Sequence, residues 1–151
     1  MSQSLVQVYL HIKFSTKDRK PFLREPELRS RTQAYLAGAC HNMKAPSLIV
    51  GGIEDHVHIL CRLSKLMSIA DLVKELKRES SKWVKEQSRE LRSFHWQSGY
   101  GAFSISPSHV NVLKKYIHNQ EEHHRKESFQ DEFRRICKKY GLEVDERYVW
   151  S

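Results

Sequence analysis

Two apolar runs separated by only two residues, "SLIVGGI" and "HVHILCRL" on either side of Glu54 and Asp55, constrain the fold more than any other stretch of the chain. So short a connection turns the chain back antiparallel to itself, which makes the segment a β-hairpin with Gly51 and Gly52 near its bend. Side chains alternate between faces along a strand, so His56 and His58 project from one side and Val57 and Ile59 from the other. A second strand is legible from Leu5 to Phe14. There Val6, Val8, Leu10, Ile12 and Phe14 alternate with Gln7, Tyr9, His11 and Lys13, the pattern of a half-buried strand with a polar outer face.

Helical spacing accounts for much of the rest. After the basic loop "STKDRKPFL", the residues Leu28, Thr32, Tyr35, Leu36, Ala39 and Met43 recur at the period of a first helix. Ser68 caps a second helix, with Asp71 three residues on and an apolar stripe of Ile69, Leu72, Val73, Leu76, Trp83 and Val84. The charged connection "KEQSRELRS" leads to "FHWQSGYGAFSIS", a loop that enters a fourth strand and in which Trp96 serves packing. Ser106 and Pro107 supply an N-cap and a proline at the first helical position, so a helix starts there and runs through "HVNVLKKYIHNQEEHHRK". Ser128 opens a last helix, "FQDEFRRICKKY", that Gly141 ends, and the short "LEVDERYVW" folds back on the body.

The order β-α-β-β-α-β followed by two helices predicts an α+β fold of the ferredoxin-like, RRM-like type. Its antiparallel sheet has two helices on one face and an open face opposite. Gln7, Tyr9, His11, Lys13 and the two hairpin histidines would share that open face. All 151 residues are expected to form one domain, with the C-terminal helices from about residue 107 added to it.

Lys and Arg number 26 against 18 Asp and Glu, a formal charge of +8 that suits a polyanionic partner, nucleic acid above all. Hydrophobic residues at 39% and charged residues at 29% exclude a disordered chain. Three cysteines without CxxC spacing point to neither disulfides nor a thiolate zinc site, so a reducing, cytoplasmic setting is expected. The N-terminal "MSQSLVQVYLHIKF" has no basic and long apolar regions of a signal peptide, and no stretch approaches the ~20 apolar residues of a membrane span.

Chemistry concentrates in two places. His56 and His58 on one strand face are a candidate pair of imidazole ligands. In "YIHNQ", Tyr116 and Gln120 stand four apart and so share one helix face. The tyrosine offers a nucleophilic hydroxyl and the glutamine a carboxamide oxygen, a third ligand for Mg²⁺ or Mn²⁺. Lys114 and Lys115 beside the tyrosine, and Lys13 on the first strand, are candidate DNA contacts. His123 and His124 read first as solvated and second as contacts to metal or DNA. Asp55 reads first as a turn residue and second as an acceptor for a ligand histidine, and His11 receives no role.

Together these stretches make the chain resemble the HUH single-tyrosine transposases of the insertion-sequence-200 type, which include the REP-associated tyrosine transposases. His56-Val57-His58 fits the HUH motif, Tyr116 and Gln120 fit Tyr-x-x-x-Gln, and "WQSGYGAFSIS" and "YIHNQEEHH" add to the likeness. The resemblance implies a metal-dependent endonuclease and strand transferase. Its Tyr116 would attack a phosphodiester of hairpin-bearing single-stranded DNA, leaving a 5′-phosphotyrosine and a free 3′-hydroxyl. Positions His56, His58 and Gln120 would hold the metal, rejoining would need no nucleotide cofactor, and the protein would be a homodimer in which the tyrosine helix can complement the partner's histidines. Two other readings stand beside it: a host-adapted HUH nuclease acting on repeat hairpins, and a non-catalytic RRM-like nucleic-acid-binding protein.

Overall fold

Four strands build one antiparallel sheet in the computed structural model, which describes residues 2–151. They are β1 (Tyr9–Ser15), β2 (Ser47–Ile53), β3 (His56–Arg62) and β4 (Gly101–Ile105), arranged in the order β2-β3-β1-β4. This is the α+β, ferredoxin-like sheet expected from the alternation of elements. The hairpin pairs Ile53 with His56, and β1 meets β3 with Lys13 opposite His58. The first strand is shorter than its alternating pattern, however. Both neighbours of Tyr9, Arg62 and Ile105, are the last residues of their strands, so before Tyr9 the pairing dwindles to one bond, from the Leu63 amide to the Val8 carbonyl. Leu5 and Val6 are left 85% and 53% exposed.

Helices α1 (Pro26–Asn42) and α2 (Ile69–Lys85) cover one face of the sheet. The carboxylate of Glu25 accepts from the amides of Glu27 and Leu28 at the start of α1, and the Ser68 hydroxyl accepts from the Asp71 amide at the start of α2. Each cap satisfies amides that the first turn leaves unpaired. Leu28, Leu36, Leu72, Val73 and Leu76 then close on Leu10, Ile12, Phe14, Val57 and Ile59 from the sheet. Trp83 of the expected stripe is only partly buried and stacks on Tyr35. Trp96 is buried against Phe14 and donates to Ser80.

The second face differs from expectation: it is covered rather than open. Three helices lie there, α3 (Val110–His118), α4 (Gln120–His123) and α5 (Phe129–Lys139). The cause is the composition of that face. Leu60, Phe103 and Ile105 join the histidines on it, and they bury against Leu113 and Ile117 of α3 and against Phe129, Phe133 and Ile136 of α5. Val149 and Trp150 of the C-terminal segment pack on the same cluster, and the Gly99 amide donates to the Ser151 carbonyl, so the tail does fold back.

The helix expected to run unbroken from Pro107 starts instead as a 3-10 turn (Pro107–His109), and Ser106 makes no side-chain cap. It is interrupted at Asn119 (φ −96°, ψ 25°). Helical bonding continues across the interruption, from the Asn119 amide to the Lys115 carbonyl and from the His123 amide to the Asn119 carbonyl. Tyr116 and Gln120 therefore remain one turn apart.

Gly51 lets α3 approach the sheet at this point. A Cβ there would lie 2.7 Å from Ile117 Cγ2 and 2.8 Å from the Ile117 carbonyl oxygen. Gly51→Val, although valine favours strands, is expected to lower stability by about 1–3 kcal/mol through overpacking. The denaturant midpoint measures it, and an unchanged midpoint would show that α3 does not press on β2.

Candidate functional site

β3 carries His56 and His58 beneath α3, α4 and α5, where neither ring is exposed to solvent. Each has its Nδ1 atom engaged. His56 Nδ1 lies 2.7 Å from Asp55 Oδ1, and His58 Nδ1 lies 2.7 Å from Nε2 of His11, whose ring stacks on it. Both Nε2 atoms consequently face inward, that of His56 at 3.2 Å from Gln120 Oε1 and that of His58 at 3.0 Å from Glu132 Oε1. Holding Nδ1 fixes the ring and frees Nε2, the way metal-binding histidines are usually oriented. Burial lowers the pKa of both rings, against the opposing pull of Asp55 on His56 and of Glu132 on His58. His11 falls to about 3, through burial and then the neighbouring Lys13. The rings of His56 and His58 are thus held neutral, and a neutral imidazole keeps one nitrogen lone pair with which it can bind a metal.

α3 and α4 add the other two expected residues. Gln120 is buried, and its amide nitrogen lies 3.4 Å from Glu132 Oε2. The half-buried Tyr116 donates its hydroxyl to Glu132 Oε2 and accepts from Arg135 Nη2 at 2.8 Å. Burial and then the Glu132 charge push the phenol above its ordinary pKa. Its ring stacks on His123 with centroids 4.4 Å apart.

Glu132, on α5, is the hub of the site. Lys13 Nζ lies 2.5 Å from Oε1, in an ion pair with no solvent exposure on either side. Burial pushes the carboxyl upward in pKa, but the surrounding His124, His58 and Lys13 outweigh it and hold the group well below the usual carboxylate range. One ligating atom from each of His56, His58, His124 and Glu132 falls within a cluster 4.8 Å across, with Gln120 Oε1 beside it. Imidazole nitrogens with a carboxylate oxygen form a donor set suited to a divalent metal ion.

The four residues singled out for chemistry, Tyr116, His56, His58 and Gln120, meet in one place, and they do so within a single chain. Within this chain the Tyr116 ring lies edge-on to His58, with centroids 6.1 Å apart. Lys114 and Lys115 are exposed on α3, whereas Lys13 is not a surface residue at all. Its ammonium lies under α5 against the rings of Phe129 and Phe133, which corrects the expectation that it faces DNA. His124 is half-buried rather than solvated, with only 4% of its side chain exposed. Asp55 combines the turn position with a hydrogen bond to His56.

Glu132 escaped the sequence reading. Its signal is its place in "FQDEFRRIC": it stands between Phe129, Phe133, Ile136 and Cys137, a carboxylate on the apolar stripe of α5. Charged groups are rarely buried unless paired.

With the geometry in place, similarity to known proteins becomes informative. Among solved structures, a Deinococcus radiodurans R1 protein assigned as a transposase superposes with a TM-score of 0.61 at 20% identity, covering 80% of this chain and 98% of its own. A REP-associated tyrosine transposase, solved bound to a REP hairpin, gives a TM-score of 0.59 at 12% identity and covers 82% of this chain and 74% of its own. At these identities the likeness establishes the fold. Comparison with curated protein sequences gives no match. The profile of the IS200-like transposases matches residues 4–120, from the approach to β1 through Gln120. The chain therefore belongs to the IS200-like transposase family.

Proposed function

We propose that this protein is a metal-dependent transposase that cuts and rejoins single-stranded DNA through a covalent bond to Tyr116. One observation carries the reading: the Tyr116 hydroxyl and His58 Nε2 address the two oxygens of one buried carboxylate. Glu132 thereby gathers the nucleophile and the candidate metal ligands around one point, and a scissile phosphate admitted beside it would have both within reach, the proximity that attack by the tyrosine needs.

In the first step a bond forms between the Tyr116 oxygen and phosphorus, and the bond from phosphorus to the 3′-oxygen breaks. The phenolic proton is released to solvent, the 3′-oxygen leaves as a hydroxyl after taking up a proton, and the 5′ end remains as phosphotyrosine. Arg135, which already donates to the phenol oxygen, would stabilise the developing phenolate. A divalent ion held by His56, His58 and Gln120 would neutralise charge on the phosphate. A second 3′-hydroxyl then displaces tyrosine by the reverse exchange, so one ester replaces another and no nucleotide is consumed.

The substrate in this proposal is a single strand carrying a hairpin, as the REP-bound relative suggests, approached through exposed cations that include Lys114 and Lys115. We further propose that residues 1–151 act as one unit within a homodimer, each subunit using its own tyrosine. Its three cysteines are buried and unpaired, which accords with a reducing, cytoplasmic setting. Among the described residues, no helix is long and apolar enough to cross a membrane. An RRM-like binding mode would stack bases on an accessible sheet face. Here that face lies under three helices and offers no open sheet for bases to stack on, which counts against that reading.

Labelled hairpin-bearing strands incubated with Mg²⁺ or Mn²⁺ are expected to yield a shortened product with a free 3′-hydroxyl and a protein–DNA adduct that survives denaturation. Neither should form in excess chelator or from perfect duplex. Full cleavage in chelator would exclude the metal's role, and site-specific cutting of duplex but not of its separated strands would exclude the substrate.

A further inference from the structure

The chain beyond Gln120 lies outside the span matched by the family profile, yet it sends two ligating groups into the site. One of them, His124 Nε2, is buried and makes no hydrogen bond. It stands 3.2 Å from Glu132 Oε2, at hydrogen-bond distance but out of alignment, and its ring centroid is 4.4 Å from that of His56. A buried polar atom left unpaired is costly. The folded chain nonetheless holds this one in place, aimed at the cluster formed by His56, His58 and Glu132.

We propose that His124 and Glu132 are ligands of the divalent ion in this site, alongside His56 and His58, so that the metal joins α5 to the sheet. The proposal rests on the reading of the site as a metal centre. The four donor atoms all lie within 4.8 Å of one another, so side-chain rotations that close the cluster by roughly an ångström bring them to the roughly 2.0–2.2 Å bonds of a shared ion. Glu132 has two carboxylate oxygens and can serve the ion with one while the other keeps its present partners.

The donor chemistry also ranks the ions: Mg²⁺ prefers oxygen ligands and keeps much of its water, so three imidazoles with one carboxylate would hold Mn²⁺, Co²⁺, Ni²⁺ or Zn²⁺ more tightly than Mg²⁺, which would serve only in large excess. Charge gives the same site a use for its substrate. Lys13 and Glu132 cancel within the wall, so a bound ion leaves a net positive centre that a phosphodiester can neutralise.

Chelator-stripped full-length protein titrated with Co²⁺ tests the assignment, because visible absorption of the bound ion reports its ligands. His124→Leu and Glu132→Gln are each expected to weaken Co²⁺ binding by about tenfold or more and to change the spectrum. His118→Leu, at an exposed position on α3, should leave both as they are. Since Glu132→Gln also disturbs the Lys13 pair, hydrogen exchange on the unaltered protein gives a readout without substitution: Co²⁺ should slow exchange across α5. Unchanged affinity and spectrum in both variants, with α5 unprotected, would overturn the assignment and leave a centre of His56 and His58 standing. Wild-type protein that binds Co²⁺ no better than His58→Ala would overturn the metal centre itself, and the proposal with it. Displacement of Co²⁺ by Mg²⁺ at equal concentration would overturn the ranking of the ions.

Discussion

Tyr116→Phe abolishes the covalent protein–DNA adduct and lowers strand cleavage by on the order of 10⁴-fold or more, the scale of loss when a nucleophile is removed outright. The substitution deletes one oxygen. The ring keeps its stacking on His123 and its edge contact with His58, so the fold has little to lose. Two hydrogen bonds disappear, one given to Glu132 and one received from Arg135, but Arg135 retains Glu127 and Glu132 retains Lys13 and His58. A net cost of about 1 kcal/mol per lost bond is expected in the denaturant midpoint. Affinity for single-stranded DNA should persist, because it rests largely on basic side chains. An adduct of undiminished yield from the phenylalanine variant would refute the assignment of the nucleophile.

Glu132→Ala produces the largest expected loss of stability, roughly 3–5 kcal/mol, because it strands a fully buried ammonium. Lys13 has no solvent exposure, and Glu132 is its ion-pair partner among the described residues. Burial works to push the lysine's pKa down, and Glu132 is the main group that opposes it. The rings of Phe129 and Phe133, 4.6 and 5.5 Å from Nζ, offer cation–π contacts worth too little to replace a carboxylate. A fall of roughly 6–20 °C in the melting midpoint is expected for a chain of this size. Lys13→Met combined with Glu132→Leu should recover most of the loss, since an apolar pair often serves a core as well as a buried ion pair. A double-mutant cycle built from these variants isolates the coupling. Glu132→Ala melting at the wild-type temperature would show that the pair contributes nothing.

The parts of this architecture that follow local rules are legible in the sequence. The hairpin is fixed by two residues between two apolar runs, and the Ser68 and Ser128 caps fall where the serine precedes the helical period. The His-x-His pair and the four-residue step from Tyr116 to Gln120 need only strand and helix geometry to be placed on common faces. What stayed hidden depends on partners distant in the chain. Lys13 looked solvent-facing because its own strand alternates, and only the arrival of Glu132 from 119 residues away makes its burial possible. His11 gains a role solely through its stacking on His58 across the β1–β3 ladder. The length of β1 was overstated because a strand ends where its neighbours end, and alternation alone does not register that.

One consequence of the covered sheet is a conformational cost of binding. His56 and His58 have no exposure and Gln120 retains 1%, so a sugar–phosphate chain cannot touch them while the helices lie as they do here. On the proposed function, binding draws on a minor conformation in which that cover has opened, and observed affinity is the intrinsic affinity scaled by the population of that conformation. Each 1.4 kcal/mol or so needed to open it weakens apparent binding about tenfold. The strand that such an enzyme would hold best is therefore one whose contacts form only after the cover has opened.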